Sequence, residues 1–333
     1  MDIKLSVLDQ TPIRKGSNAR ESLQETVELA KLTDQLGYTR YWISEHHNST
    51  LLATGSPEVV IARLGAETKN IRLGSGGMMM PNHSTIRVAE NFRVLEALYP
   101  NRIDLGMGRA PGGDRITSKL LNPANNFDPQ DYIQQLKDLK SFLNDEPIDG
   151  ISEMMIKAIP VIPTSPDLWV LSSSGESAYL AAYLGMAFSF AQFINPNGAA
   201  SAIKAYKDKF IPSAELQQPQ TSIGLFGFCS DDEEKVKQHQ AFIDYRLLSF
   251  EKGLFNASFD YNDIKDVEYS IYDLERIEFN RKRTIVGTPD VFKKRILEIA
   301  KECETNEFIF STHSLTKEDR LNSYKILAET FNL

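Results

Sequence analysis

An α/β fold built on parallel strands is what this sequence predicts, on three observations. Eight short β-prone runs recur along its 333 residues, helical patterns separate most of them, and a hydrophobic share of 41% is enough for one large core without any disordered tract. Such alternation either closes into a (β/α)8 barrel or stays open as a doubly wound sheet with two edges to protect.

The expected strands, in chain order, span residues 5–9, 39–44, 71–76, 102–107, 168–173, 187–191, 222–228 and 307–312. Between the first two, residues 22–37 place Leu23, Val27, Ala30, Leu32 and Leu36 on one helical stripe, and Gly37 stops the turn. A second helix ends in the same way at Leu184-Gly185. Two stretches break the rhythm. Residues 146–166, with Pro147, Pro160, Pro163 and Pro166, read as an irregular insertion before the fifth strand. Residues 252–287, rich in Phe, Tyr and Asp without a clean period, read as a long loop after the seventh strand's helix. Neither has the composition of an interdomain linker, so residues 1–333 are expected to form one domain.

Composition excludes several functions. A net charge of −8 opposes binding to nucleic acid, whose phosphates the average field repels. Asp2, Lys4 and Asp9 interrupt what would be the apolar core of a signal peptide, and no run is long enough to span a bilayer, so a cytoplasmic protein is expected. Cys229 and Cys303, far apart in sequence, suit buried free thiols better than a disulfide or a metal site.

Barrel chemistry gathers where strands end. Past the second strand stands Glu45-His46-His47-Asn48, in which the imidazoles could serve as bases, hydrogen-bond donors or metal ligands; a plain polar loop is the competing reading. With no third His or Cys nearby in sequence, no metal site is expected. The third strand runs into Gly76-Gly77-Met78, where a flat ligand could rest on bare main chain among methionines, or where a simple bulge could sit. After the fourth, small residues flank Arg109, leaving its guanidinium open to a phosphate or to an ion pair with Asp114 or Asp104. The fifth leads through Ser174 and Gly175 into a helix start, a ready anion site or an ordinary cap. No GxGxxG fingerprint with a ribose-binding acid follows any strand.

The segments YWISEHHN (41–48), IRLGSGGMMMP (71–81), NRIDLGMGRAPGGD (101–114), SSSGESA (172–178) and the terminal residues 307–329 resemble the bacterial luciferase-like monooxygenases over nearly the whole chain. The resemblance implies a (β/α)8 barrel holding FMN. It implies a reduced flavin, supplied by a separate reductase, that reacts with O2 to give a C4a-peroxyflavin and oxygenates a small organic substrate. His46 matches the flavin-site imidazole, and His47 beside it is a second catalytic candidate. Gly76-Gly77 matches a cis peptide pressed against the isoalloxazine; Met78 follows it. Arg109 and the Ser174-Gly175 turn match the phosphate grip. Where luciferase carries a reactive cysteine, this chain has Gly108, so oxygenase chemistry without light emission is expected. The family's dimer uses helices that here fall at residues 56–69 and 84–99, where Val59, Val60, Ile61, Leu64, Phe92, Leu95 and Leu98 exceed one narrow stripe. Residues 252–287 would be the lid that keeps the flavin dry. The same resemblance admits a non-enzymic flavin-binding protein, or an oxidoreductase using the deazaflavin F420.

Overall fold

A computed structural model describes residues 2–110, 112–124, 126–148, 156–254 and 258–333. Its first half runs β1 (Lys4–Asp9), α1 (Ala19–Gln35), β2 (Arg40–Ile43), α2 (Pro57–Glu67), β3 (Arg72–Met79), α3 (Thr85–Leu98), β4 (Ile103–Gly108), α4 (Arg115–Leu121) and α5 (Pro129–Leu143). The second half runs β5 (Asp167–Ser172), α6 (Gly175–Leu184), β6 (Ala187–Ala191), α7 (Ala199–Lys209), β7 (Thr221–Cys229) and α8 (Glu233–Glu251). Then come α9 (Tyr261–Ile264), α10 (Ile271–Arg281), β8 (Thr284–Gly287), α11 (Pro289–Cys303), β9 (Glu307–Ser311) and α12 (Lys317–Phe331).

The eight strands read from sequence are the eight staves of a closed parallel barrel, in the order β1-β2-β3-β4-β5-β6-β7-β9. Closure is made where Lys4 to Val7 pair with Glu307 to Phe310, and where Phe188 to Ala191 pair with Thr221 to Gly224. The short β8 adds a ninth strand outside the ring: it pairs with Phe226 to Cys229, beyond the stretch of β7 that β6 covers.

Alternation along each strand sorts two cores. Leu5, Val7, Tyr41, Leu73 and Leu105 point outward to the helices, whereas Leu8, Trp42, Trp169, Ala187 and Ile309 meet inside the barrel. Each such fully buried aliphatic side chain contributes about 1.5–3 kcal/mol. Below the inner apolar cluster lies a charged layer. Arg40 reaches Asp104 at 2.7 Å and Glu307 at 2.5 Å, and stacks over Trp169, so every buried charge there has a partner.

Local expectations met the fold unevenly. Gly37 and Gly185 both end helices with positive φ, as their positions implied. The buried face of α1, however, carries Ser22, Glu25, Thr26, Leu29, Ala30 and Thr33, rotated from the leucine stripe expected. The reason is electrostatic: Glu25 binds Arg14 and Arg320, and Thr26 binds Asp9 at 2.7 Å. In the insertion before β5, residues 149–155 lie outside the described residues. The part beyond them is anchored by buried Arg93, which donates to the carbonyls of Ala158 and Phe142. Residues 252–287 are not the irregular loop expected. Apart from 255–257, which lie outside the described residues, they build α9, α10 and β8, and α9 and α10 begin with capping boxes at Asp260 and Ser270. Cys229 and Cys303 are free and buried. Among the described residues no helix is long and apolar enough to cross a membrane.

Candidate active site

The carboxyl ends of β1 to β6 enclose a cavity of about 790 Å³, within the range of about 300–1,000 Å³ usual for cofactor sites. It brings together His46, Gly76, Gly77, Arg109 and Ser174. These residues come from four separate strand ends, so the barrel assembles what the sequence scatters.

His46 stands just past β2, its main chain fixed by an N–H to the Thr54 carbonyl at 3.0 Å. Its Nδ1 is hydrogen bonded to Ser44 Oγ at 3.0 Å, and no hydrogen bond to Nε2 is formed among the described residues. Burial pushes this ring from 6.5 down to about 4; His47 adds to the effect and Glu45 only partly opposes it. At neutral pH His46 is therefore an uncharged imidazole, able to accept or share a proton at a cavity wall.

The two neighbours of His46 do a different job. Glu45 is fully buried and collects hydrogen bonds from His47 Nε2 (2.8 Å), His83 Nε2 (2.9 Å) and the Met79 N–H (2.8 Å). Burial would raise its pKa, but those donors override it and hold the carboxyl at about 2. Burial lowers the pKa of His83, yet the bond to Glu45 more than compensates and raises it. His47 is thus turned away from the cavity, bound to Glu45 below the Gly112-Gly113 turn, whose Gly112 carbonyl accepts its N–H. His47 lines no part of the cavity, and the tie between the ends of β2 and β3 is Glu45, through Met79 and His83.

At the end of β3 the Gly76-Gly77 peptide is cis. A Cβ on Gly77 would come within 2.8 Å of the Gly106 carbonyl oxygen, and one on Gly76 within 2.9 Å of Trp42 Cβ, neither of which can swing aside, so this shelf favours glycine. The pairing shifts register between Gly76 and Met78. A shift of one residue turns each following side chain to the opposite face. Met78 is consequently buried on the outer side, 1% exposed, and Met79 lines the cavity in its place.

At the ends of β4 and β5 the cavity wall carries a guanidinium and a helix start. Helix α6 starts at Gly175 with Ser174 as its N-cap, but the Ser174 hydroxyl caps no main-chain N–H and lies 3.3 Å from Ser172 Oγ. The first amides of α6 are left free. Gly175 lines no wall with its own atoms and supplies main chain to this turn. Arg109 comes no closer than 4.0 Å to its single carboxylate neighbour, Glu176, which is itself 84% exposed. Neither Asp114 nor Asp104 pairs with Arg109; they cap α4 and bind Arg40.

Sequence patterns had not singled out the remaining wall. Asn122, Phe127, Tyr132 and Gln135, from α4, α5 and the turn between them, cover the cavity's flank. No described residue of 252–287 reaches it, so the cover comes from the segment after β4. Gln10 and Phe193 were also unforeseen; each follows its strand by one or two positions, and that spacing was the available signal.

Comparison with known proteins identifies the family. The family model for luciferase-like monooxygenases matches residues 3–303. The Bacillus subtilis (strain 168) protein YwcH is 45% identical over 99% of both chains. An N-acetyl-S-alkylcysteine monooxygenase of the same organism is 30% identical over 98% of both. Among solved structures, apo-MsnO8 superposes with a TM-score of 0.89 at 32% identity, covering 99% of this chain and 98% of the other. The oxygenating constituent of 3,6-diketocamphane monooxygenase from a Pseudomonas putida plasmid, solved with FMN, shares the fold at TM-score 0.74 and 16% identity, covering 99% and 97%. Because that family model matches most of the chain, and relatives of 30% identity or more cover nearly all of it, the chain belongs to the luciferase-like monooxygenase family.

Proposed function

We propose that this oxidoreductase is an FMN-dependent monooxygenase that uses reduced FMN and O2 to oxygenate a small organic molecule. The observation that carries the reading is the joining, in one cavity, of a side-chain-free shelf at Gly76-Gly77, the neutral His46 and Arg109, held only by a long 4.0 Å contact to exposed Glu176, beside the bare start of α6. A planar ring system with a phosphate tail matches all three at once. Reduced FMN supplies the electrons for O2 activation. The chain's own residues bind, orient and shield. Arg109 and the Ser174-Gly175 turn hold the phosphate, the shelf admits the ring face, and His46 Nε2 holds or accepts a proton at the reacting edge. Tyr132 and Phe127 help keep water out. Reduced flavin comes from a separate reductase, and two copies of the chain pair through α2 and α3 in the cytoplasm. The FMN-bound relative of similar fold and the monooxygenase relative at 30% identity support this assignment.

Fluorescence titration of the full chain with FMN, riboflavin and F420 tests it. FMN is expected to bind about tenfold or more tighter than riboflavin, for a charge-assisted phosphate grip, and tighter than F420. Preference for F420 would replace the oxygenase reading with hydride transfer. Tight FMN binding with no oxygenation of any candidate substrate, unchanged in His46→Asn, would favour a flavin-binding protein.

A further inference from the structure

Across the barrel from Arg109 and Ser174 lies a second, smaller cleft. In the ring of eight strands, β9 and β1 stand opposite β4 and β5. At their ends, Pro12, Leu51, Phe242, Arg246, Phe259 and His313 surround a cavity of about 40 Å³, room for about one water or one carboxylate-sized head.

Two features of this cleft are unexplained by the protein alone. Arg246, on α8, is half-buried and makes no ion pair or hydrogen bond among the described residues, although buried charges are normally paired. Burial pushes its guanidinium down to about 10, and no carboxylate counters it. His313, only 4% exposed, has a buried Nδ1 without a hydrogen-bond partner among the described residues. The other cations at the cleft are already used: Arg14 binds Glu25, and Lys15 binds Asp260 and Asp263.

The cleft shares a partition with the active site. His313 Nε2 is hydrogen bonded to Gln10 Oε1 at 2.5 Å, and Gln10 lines the main cavity beside His46. One hydrogen-bonded pair therefore separates an uncompensated cation from the reacting edge. We propose that this cleft binds a small organic anion, its carboxylate seated on the Arg246 guanidinium, with the Gln10–His313 pair between it and the main cavity. The inference stands on the geometry of the cleft and is independent of the monooxygenase reading. A guanidinium supplies paired donors that match a carboxylate, and an amide or ester of the same shape would leave the charge unanswered.

Calorimetric titration of the full chain with sodium acetate and with acetamide, with and without FMN, tests the site. Acetate is expected to bind and to raise the melting temperature, and acetamide to do neither. Arg246→Met is expected to weaken acetate binding roughly tenfold or more, with FMN affinity unchanged. Arg246→Lys should retain part of it. Without acetate, Arg246→Met should melt at or above the parent temperature, because it removes an uncompensated charge; a fall would assign Arg246 a purely structural role and overturn the proposal. Equal responses to acetate and acetamide, or acetate binding unaltered in Arg246→Met, would overturn it as well. Acetate binding in a chain that ignores FMN would sink the cofactor reading and leave the anion site standing.

Discussion

Adjacent in sequence, His46 and Glu45 are both held ready by burial, with opposite results. Glu45 gathers donors and stays ionised, whereas His46 finds little compensation and stays neutral. His313 is lowered well below the ordinary range by burial and nearby cations, and His239, stacked on Phe228 at 3.9 Å, is pushed by burial down to about 3. The consequence for stability has a definite sign. Below pH 6.5 the unfolded chain protonates these imidazoles while the folded one resists, so stability falls as pH drops from 6.5 toward about 4. His83, raised above 6.5, acts in the opposite sense; its contribution is complete below that value and fades as pH rises, but it is one ring against three. Glu45 adds a separate loss between 4.5 and about 2, where its carboxyl must finally protonate. Urea unfolding at pH 7 and pH 5 is therefore expected to show lower stability at pH 5, and His239→Phe to narrow that gap. A gap unchanged by the substitution would refute the assignment.

Elements were legible in proportion to how far hydrophobic pattern alone determines them. The eight staves were read because each is a short apolar run, and their pairing then follows from closure. β8 escaped because Thr284–Gly287 is only 4 residues long and pairs outside the ring. The α1 face was misphased because Glu25 and Thr26 point inward to an ion network that apolarity cannot reveal. In β3 the register shift between Gly76 and Met78 turns Met78 outward and brings Met79 to the cavity. Of the apolar residues on α2 and α3, Ile61, Leu64, Phe92 and Leu95 are buried against the barrel. Val59 and Leu98 remain 66% and 58% exposed, and together with Val94 they edge a shared groove. If this groove is the subunit contact, the parent chain sediments as a dimer and the double substitution Val59→Asp, Leu98→Asp as a monomer with unchanged secondary structure. A dimer that survives both charges would place the contact elsewhere.

At the scale of the molecule, the barrel gathers Arg109 and Ser174 from β4 and β5, the glycine shelf from β3 and the neutral His46 from β2 at one cavity, with Arg246 behind β1 and β9. The sequence carried the first three because each rests on a local motif at a strand end. Arg246 was not legible, since it lies within α8 and meets His313 only through folding. The same holds for the wall built from Phe127 and Tyr132, whose place over the cavity depends on how α5 packs on α3. The test that bears most directly on the whole account compares FMN and riboflavin affinity in the parent chain and in Arg109→Ala. If the guanidinium grips the phosphate while the ring lies on the shelf, the substitution lowers FMN affinity about tenfold or more, toward the riboflavin level, and leaves riboflavin affinity unaltered. Equal losses for both ligands, or none for FMN, would contradict it.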